Sequence, residues 1–306
     1  MASVDEILIL MAVRDGARFL PGQLASIAGQ AGVGWRLIVS DDGSRDGSAA
    51  LLQEFAASQA PGRVVLLRGP GRGATENFRH LLRSCPEGAL AFCDQDDVWH
   101  PEHLARAAAM IGGAGGPALY GCRMRITDAA LRPSGHSPLP GRPVGFRNAL
   151  VQNVFSGNGM VMNAEAARIL RAAEAEAGPI LLHDWWAYQL LSGAGARVVF
   201  DARPGLDYRQ HGGNVVGANA GLAALPRRLW RHLRGAHGRW ARLNVAALGR
   251  SAHRLSDENR AVLRDFAAAL EAPPLRRLGL LRAAGVYHQR RAARAAFWIS
   301  AALGLF

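Results

Sequence analysis

The sequence predicts an α/β fold built on an open, mostly parallel β-sheet with helices on both faces. Through the first 111 residues, short apolar runs alternate with longer stretches in which apolar residues recur at helical spacing. This alternation is typical of β-α-β units, whose strands pair in parallel and are covered on both sides. Carboxylates directly follow several of the apolar runs. Such sheets bind ligands outside the carboxyl ends of their strands, so these carboxylates are candidates for a functional site.

Four apolar runs predict the first strands, and the segments that follow them predict helices. The strands are expected at 7–13 (ILILMAV), 35–40 (WRLIVS), 64–68 (VVLLR) and 90–93 (LAFC). The helices are expected at 19–28, 48–58, 75–83 and 101–111. In the first helix Phe19, Leu20, Leu24 and Ile27 share one face, and the last has a proline in its first turn.

Beyond residue 111 the alternation is less regular. The glycine-rich segment 112–117 (GGAGGP) predicts a turn. We expect strands at 118–127 and 197–200, helices at 164–177 and 181–191, and loops at 132–145 and 207–216. From residue 222 onward the pattern is helical and rich in arginine.

The net charge of +12 is unevenly distributed along the chain. Residues 1–220 hold 20 arginines and 20 acidic residues, whereas residues 221–306 hold 16 arginines and four acidic residues. We therefore expect a domain boundary near residue 220. In segment 225–254, leucines and tryptophans interleave with arginines, which favours contact with an anionic membrane surface. A solvated helix and a partner-binding helix are the alternatives. The sequence has no nucleic-acid-binding motif and its first part is neutral, so we expect no nucleic-acid partner.

The cysteines and the two terminal segments give indications of the cellular compartment of the protein. Three cysteines without metal-site spacing predict no disulfide framework and favour a reducing compartment. The start, MASVDEILILMAV, lacks a basic region and a cleavage site, so we expect no signal peptide. The apolar segment 295–306 is too short to span a bilayer. We expect a cytoplasmic protein, or one peripheral on the inner face of the cytoplasmic membrane.

The stretch LAFCDQDDVWH places Asp94, Asp96 and Asp97 at the end of a predicted buried strand. Carboxylates crowded at such a position repel one another and lose hydration. A divalent cation, Mg²⁺ or Mn²⁺, would offset both costs, because hard cations take carboxylate ligands. The alternative is an acidic turn in which Asp96 or Asp97 caps the following helix. Asp41 and Asp42, which follow the second strand, are not needed for such a turn.

Ordered motifs resemble those of a known enzyme family. ILILMAVRDGARFLPGQLASI, RLIVSDDGSRDGS, GATENFRHLL and LAFCDQDDVWHPEHL resemble successive blocks of family 2 glycosyltransferases with the GT-A fold. HDWW and YRQHGGNVVGAN are similar to the bacterial rhamnosyltransferase-like branch, which builds cell-surface polysaccharides. The resemblance covers about residues 5–220. It implies a GT-A nucleotide-sugar-binding and catalytic domain at 1–220, followed by a basic helical region at 221–306.

The resemblance also implies a reaction. The enzyme would be an inverting, metal-dependent transferase that moves one sugar, rhamnose, from a nucleotide diphosphate donor. The donor would be a dTDP- or UDP-sugar, and the acceptor a saccharide or a lipid-linked saccharide. The Gln-Xaa-Xaa-Arg-Trp motif of processive relatives does not occur in the sequence, which favours single additions.

Individual roles carry over from the family motifs. One of Asp41 and Asp42 would accept a hydrogen bond from the nucleobase, and Asp94 would contact the ribose or the donor sugar. Asp96 would bind the cation, and His211 would be a second ligand or a diphosphate contact. Asp97 would orient the sugar or cap the next helix. The remaining expected donor-binding residues are Val13, Arg14, Asn77, Gly157 and Arg209, although for Asn77 hydrogen bonding at a helix start is an alternative.

Asp184 in HDWW is the expected general base. It matches the carboxylate that opens a late helix in the family and removes the acceptor's proton. Many relatives have Glu-Asp where this chain has His183 and Asp184. A helix N-cap is the alternative role, and it is compatible with a base.

Two other functions compete with this reading. A nucleotidyltransferase on a similar fold would need a glycine-rich phosphate loop after the first strand, and AVRDGARF is not glycine-rich. A catalytically degenerate scaffold that binds a membrane or partner through its basic region would not need the full aspartate set.

Overall fold

A nine-stranded mixed sheet organises the first part of the chain within the residues that the computed structural model describes, 4–212 and 236–305. Its strands are β1 Glu6–Val13, β2 Gly34–Asp41, β3 Val64–Arg68, β4 Ala89–Cys93, β5 Val98–Trp99, β6 Ala118–Thr127, β7 Pro133–His136, β8 Val161–Met162 and β9 Arg197–Arg209. Their order is β3-β2-β1-β4-β8-β6-β9-β5, with β7 paired to β6. The long ladders β1–β2, β1–β4, β2–β3 and β6–β9 are parallel, and the short strands pair antiparallel.

The helices follow the strands as crossover connections and then continue as a helical region. They are α1 Leu20–Ala28, α2 Ser48–Ala57, α3 Ala74–Ser84, α4 His103–Ile111, α5 Phe146–Ala149, α6 Ala164–Ala177, α7 His183–Gly193, α8 Ala236–Arg250, α9 Asp257–Glu271, α10 Pro274–Ala284 and α11 Arg291–Ala302. Local sequence explains several of their ends. Ser256 Oγ accepts from the Asn259 backbone N–H at the start of α9. α10 has prolines at its start and ends at Gly285, whose φ of 63° suits a residue without a Cβ.

The core of the sheet lies on β1 and β4. Ile7, Ile9, Leu10 and Met11 are fully buried, as is all of β4 apart from a small exposed fraction of Ala89. Both strands lie inside the sheet, and the side chains on both of their faces are buried; α3, for example, packs against β1. Burial on both faces explains why their sequences are unbroken apolar runs.

The chain divides into two compact units. The first contains the described parts of Met1–Leu139, Phe155–Glu174 and Ala196–Asn214, which include the whole sheet. The second contains Pro140–Val154, Ala175–Gly195 and the described helices from residue 236 onward. Within it α9 packs against both α8 and α10, and α10 against α11. The domain boundary expected near residue 220 stays a prediction. Segments of the two units alternate along the sequence.

The predicted fold class is confirmed, with its parallel strands and its C-terminal helices. The polar loop expected at 207–216 is wrong for its first residues, because β9 runs on through Arg209 alongside β6. The loop expected at 132–145 is wrong at Pro133–His136, where β7 pairs with β6, and the short strands β5 and β8 were not expected. Residues 213–235, which hold part of the predicted basic segment and Trp230, lie outside the described residues. Among the described helices, none is long and apolar enough to cross a membrane.

Candidate functional site

The candidate site lies where neighbouring strands end. Val13 at the end of β1 is in register with Asp41 of β2, and Met11 with Cys93 of β4. The residues that follow these strands, Arg14, Asp42 and Asp94, therefore leave the sheet at one edge. This is the edge at which open parallel sheets bind ligands.

A carboxylate cluster occupies the loop after β4. One carboxylate oxygen each from Asp94, Asp96 and Asp97 lies within 4.8 Å of the others. His211, on the segment after β9, approaches the cluster, with its Nε2 2.7 Å from Asp96 Oδ2. The side chains of Asp96 and His211 are 14% and 17% exposed, so solvent reaches this pair. The His211 ring packs on Phe19, with 4.5 Å between ring centroids.

Asp97 is the anchored member of the cluster. It is fully buried, and its carboxylate accepts from the Arg209 backbone N–H at 3.0 Å and from the Asn158 side-chain amide. Burial, and then the charges of Asp96 and Asp94, raise the pKa of Asp97 well above its usual range.

The capping role considered for Asp96 and Asp97 is wrong. The helix after this loop, α4, begins at His103, and its N-cap residue is Glu102. That N-cap forms no side-chain capping hydrogen bond.

The cluster fits a divalent cation. Its converging donors are carboxylate oxygens, the ligands that Mg²⁺ and Mn²⁺ prefer, and the nearby imidazole suits Mn²⁺ better than Mg²⁺. Burial, and then the negative charges of Asp96 and Asp94, raise the pKa of Asp97, and a bound cation would offset the repulsion among these carboxylates.

Asp41 and Asp42 differ in how their carboxylates are engaged. Asp42 is buried, and its two oxygens accept from the backbone N–H groups of Gly71 and Gly73 at 2.6 and 2.8 Å. Asp41 Oδ1 accepts from the backbone N–H and the hydroxyl of Ser44. Asp41 also lines a cavity of about 310 Å³ together with Arg68 at the end of β3. Of the two, Asp41 is the more exposed residue, and among the described residues only its Oδ1 finds hydrogen-bond donors, whereas both oxygens of Asp42 accept from backbone N–H groups.

Gln95 connects the ends of β1 and β4, a role the sequence did not reveal. Its side-chain carbonyl accepts from the Arg14 backbone N–H at 2.8 Å, and its amide donates to the Arg14 carbonyl at 2.9 Å. A Cβ on Gly16 would lie 2.5 Å from Gln95 Oε1, so a glycine at this position leaves room for the Gln95 side chain to form its two hydrogen bonds with Arg14. The Arg14 guanidinium lies 3.7 Å from Asp42 Oδ2 and is half exposed.

Asn77, Arg209 and Gly157 lie inside the protein. Asn77 is fully buried and its amide donates to the Ser40 carbonyl at the end of β2. The Arg209 guanidinium donates to the Asp96 carbonyl at 2.8 Å and lies over the Phe19 ring. Gly157 is buried in a single 3₁₀ turn, Gly157–Gly159. These contacts hold the strand ends and the aspartate loop in place.

Three further residues that sequence reasoning did not single out complete the first unit's site. They are Phe19, Trp99 and Asn158. Trp99 donates through Nε1 to the Asn158 carbonyl, while the Asn158 amide holds Asp97. The only sequence signals were the neighbouring motifs, since Trp99 closes DQDDVW and Asn158 lies within SGNG.

Asp184 belongs to the second unit. It lies in the first turn of α7, after His183, and its Oδ1 accepts from the Trp185 backbone N–H at 2.6 Å. The N-cap of α7 is Leu182, so Asp184 is not the cap residue. Burial lowers the pKa of His183 to about 3, which keeps its imidazole neutral near pH 7. The structure thus gathers Asp94, Asp96, Asp97 and His211 in the first unit and holds Asp184 in the second.

Comparisons with known proteins find a matching sequence family and related sequences. The sequence profile of the family described as Glycosyl transferase family 2 matches residues 8–168. The chain is similar to the dTDP-rhamnosyl transferase RfbG of Shigella flexneri, with 27% identity over 232 residues, which cover 72% of this chain and 78% of that protein.

Solved structures share the fold. Residues 1–349 of TarS from S. aureus, in complex with UDP-GlcNAc, superpose with a TM-score of 0.54 at 13% identity, covering 92% of this chain and 93% of that one. The mannosyltransferase PcManGT from Pyrobaculum calidifontis, in complex with GDP-Man and Mn²⁺, gives a TM-score of 0.50 at 16% identity, covering 91% of this chain and 85% of that one.

Proposed function

The chain belongs to glycosyl transferase family 2, and from this premise we propose that it is an inverting, cation-dependent transferase of a single rhamnose from a dTDP-sugar to a saccharide acceptor. Membership makes it a nucleotide-sugar glycosyltransferase, and the family and rhamnosyltransferase-like resemblance noted in the sequence is thereby confirmed. The choice of dTDP and rhamnose rests on the similarity to RfbG. UDP is the alternative nucleotide.

The observation that carries the proposal is the aspartate cluster beside His211. Asp94, Asp96 and Asp97 converge within 4.8 Å, and the Asp96–His211 pair keeps a small exposed fraction, so solvent can reach it. Asp96 and His211 would hold a divalent cation. When bound, that cation would neutralise the diphosphate as it leaves.

The remaining donor contacts follow from which side chains are already engaged. Asp41 would accept the hydrogen bond from the nucleobase, because both oxygens of Asp42 are occupied by backbone N–H groups. Asp94 would contact the ribose or the donor sugar. Val13, Arg14, Asn77, Gly157 and Arg209 would support the donor site, and the buried contacts of Asn77 and Arg209 favour a positioning role.

Asp184 would act as the general base. As the acceptor hydroxyl oxygen attacks the anomeric carbon, the bond from that carbon to the diphosphate oxygen breaks and the hydroxyl proton passes to the Asp184 carboxylate. A single displacement of this kind inverts the anomeric centre. His183 stays neutral in its buried position, so it adds no charge beside that carboxylate.

The acceptor would be a lipid-linked saccharide at the inner face of the cytoplasmic membrane. Residues 221–306 carry 16 arginines and four acidic residues, and the described part exposes Leu275, Ile299 and Leu303. Each arginine near an anionic surface contributes roughly 1 kcal/mol of attraction. Co-sedimentation with phosphatidylglycerol vesicles but not with phosphatidylcholine vesicles would support this location, and equal recovery with both would contradict it.

Thermal unfolding in the presence of nucleotides tests the donor site. The protein is heated with dTDP, UDP or GDP, with and without Mn²⁺. At a nucleotide concentration of about 100 times Kd, binding should stabilise the folded state by roughly 2–3 kcal/mol. The stabilisation should need the metal and should be strongest for dTDP.

Two variants sharpen this experiment. Asp96→Asn should lose the metal-dependent stabilisation. Asp257→Asn is the matched control, because Asp257 in the second unit has a side chain that is 95% exposed. A protein that responds to no nucleotide would instead be a degenerate scaffold, and the proposal would fail.

A further inference from the structure

The second unit contains a cavity of about 220 Å³ with an aromatic lining. Trp185, Trp240 and Phe297 contribute ring surface, and Gln152, Asn153 and His288 contribute polar groups. We propose that this cavity binds one sugar ring of the acceptor. The inference rests on the function proposed above and names the part of the molecule that selects its acceptor.

Contacts with neighbouring groups orient two of the three aromatic side chains, Trp185 and Phe297. Trp185 Nε1 donates to the Ala149 carbonyl at 2.7 Å, which orients the indole ring. Phe297 packs against His288, with ring centroids 5.3 Å apart and planes inclined by 56°. Trp185 and Trp240 are only partly buried, so apolar ring surface remains accessible. Preorganised aromatic surface of this kind binds a ligand at low entropic cost.

The chemistry of the lining favours an uncharged, hydroxylated ring. The described lining residues include no carboxylate and no guanidinium, so the lining offers no permanent charge to form an ion pair with a ligand. The C–H faces of a sugar stack on aromatic rings, while its hydroxyls hydrogen-bond to amides and imidazole. The volume lies below the roughly 300–1,000 Å³ of pockets for drug-sized ligands and suits a single ring.

The position of the cavity connects it with the proposed base. Trp185 directly follows Asp184 in α7, so their Cα atoms are about 3.8 Å apart. The Asp184 carboxylate also accepts a hydrogen bond from the Trp185 backbone N–H at 2.6 Å, so the carboxylate that receives the acceptor's proton is held against the residue that supplies one wall of the cavity. Trp185, Trp240, His288 and Phe297 lie beyond residue 168, where the match to the family profile ends, whereas the lining residues 150–153 lie within it. The aromatic part of the lining is therefore supplied from outside the matched region.

Saturation-transfer NMR on the full chain tests the proposal. The probes are methyl α-L-rhamnopyranoside and methyl α-D-glucopyranoside, and 1-octanol serves as an apolar probe without a sugar. We expect saturation transfer to at least one glycoside. Trp240→Ala should weaken its binding about tenfold, the cost of one lost stacking surface. Trp240→Phe, which keeps an aromatic ring, should retain most of it.

Two more variants distinguish a loss of glycoside binding from a loss of folding. His288→Ala removes a polar lining residue while keeping the Trp240 side chain, and it should also weaken glycoside binding. Ile299→Ala is the matched control, because Ile299 lies on α11 and is exposed but does not line the cavity. Its glycoside signal should equal that of the unmodified protein.

The outcomes separate this inference from the donor proposal. Equal glycoside signals in Trp240→Ala and the unmodified protein would overturn the assignment, as would binding of octanol alone or of neither glycoside. The dTDP-dependent thermal stabilisation is measured on the same samples. If it is retained in Trp240→Ala while the glycoside signal is lost, both proposals stand. If it is missing from every sample while Trp240-dependent glycoside binding persists, only the donor proposal fails.

Discussion

His103→Gln should reduce the loss of stability that this protein suffers in mild acid. His103 begins α4 and is fully buried, with its ring against Trp99 at 4.8 Å and its Nδ1 3.9 Å from Cys122 Sγ. Its Nε2 finds no hydrogen-bond partner among the described residues. Burial, and then the positive charge of Arg106, lower its pKa to about 3. Folding therefore requires this imidazole to be neutral.

The magnitude follows from the two protonation equilibria. In the unfolded chain the histidine pKa is 6.5, so on acidification the unfolded state binds a proton before the folded state does. Stability is thus lost as the pH falls from about 6.5 toward about 3. Between about pH 7.5 and pH 5, one such histidine costs about 2 kcal/mol. His183, whose pKa burial also lowers to about 3, should contribute a similar and independent amount.

Urea unfolding at pH 7.5 and pH 5 measures this loss directly. His103→Gln should lose about 2 kcal/mol less than the unmodified protein between the two pH values, whatever its stability at pH 7.5. His183→Gln should behave alike, and the double variant should show both effects because the residues lie in different units. If His103→Gln and the unmodified protein lost equal stability, the assignment of a buried neutral imidazole would be refuted.

Three further predictions concern the sheet edge, the backbone and the proposed base. Asp42→Asn should lower the free energy of unfolding, measured in urea, by roughly 2–3 kcal/mol. The asparagine NH₂ group would face the backbone N–H of either Gly71 or Gly73, which would then lose its acceptor. An unchanged free energy of unfolding would contradict this. Gly279→Ala should stabilise by about 0.5–1 kcal/mol, since its Cβ would meet nothing in α10. Gly69→Ala should destabilise, since its Cβ would lie 2.8 Å from Asp42 Cα, and matching unfolding midpoints for the two glycine variants would refute the reasoning. Asp184→Asn should lower turnover, measured as nucleotide release, by about 10²–10⁴-fold while dTDP-dependent stabilisation persists, and unchanged turnover would exclude it as the base.

Much of the fold could be predicted because its signals are local. The apolar runs at 7–13 and 64–68 became β1 and β3 with almost the predicted bounds, and the helix expected at 164–177 has those bounds as α6. A central strand such as β1 must be apolar on both faces, so the sequence identifies it without help from distant residues. β3 is an edge strand with Val65 and Leu66 exposed, and its sequence identifies it through residue types that favour strands.

The short strands and the end of β9 could not be predicted in this way. β5 is only two residues long, and it exists because Val98 and Trp99 pair with Asp207 and Leu206. β9 continues through polar residues because β6 offers it a parallel partner as far as Thr127. Pairing across the chain supplies these hydrogen bonds, and it overrides a local composition that favours a loop.

By itself the sequence determined the family, the open sheet and the residue types of the candidate site, because each depends on short motifs in a fixed order. Only the tertiary structure brought His211 to Asp96 across 115 residues of chain, and bound Asp97 to Asn158. It alone distinguished Asp41, which lines a cavity, from Asp42, which binds the backbone of two glycines. The reason is physical: a motif specifies which side chains are present, whereas the hydrogen bonds and burial that assign each one its task come from residues far away in sequence.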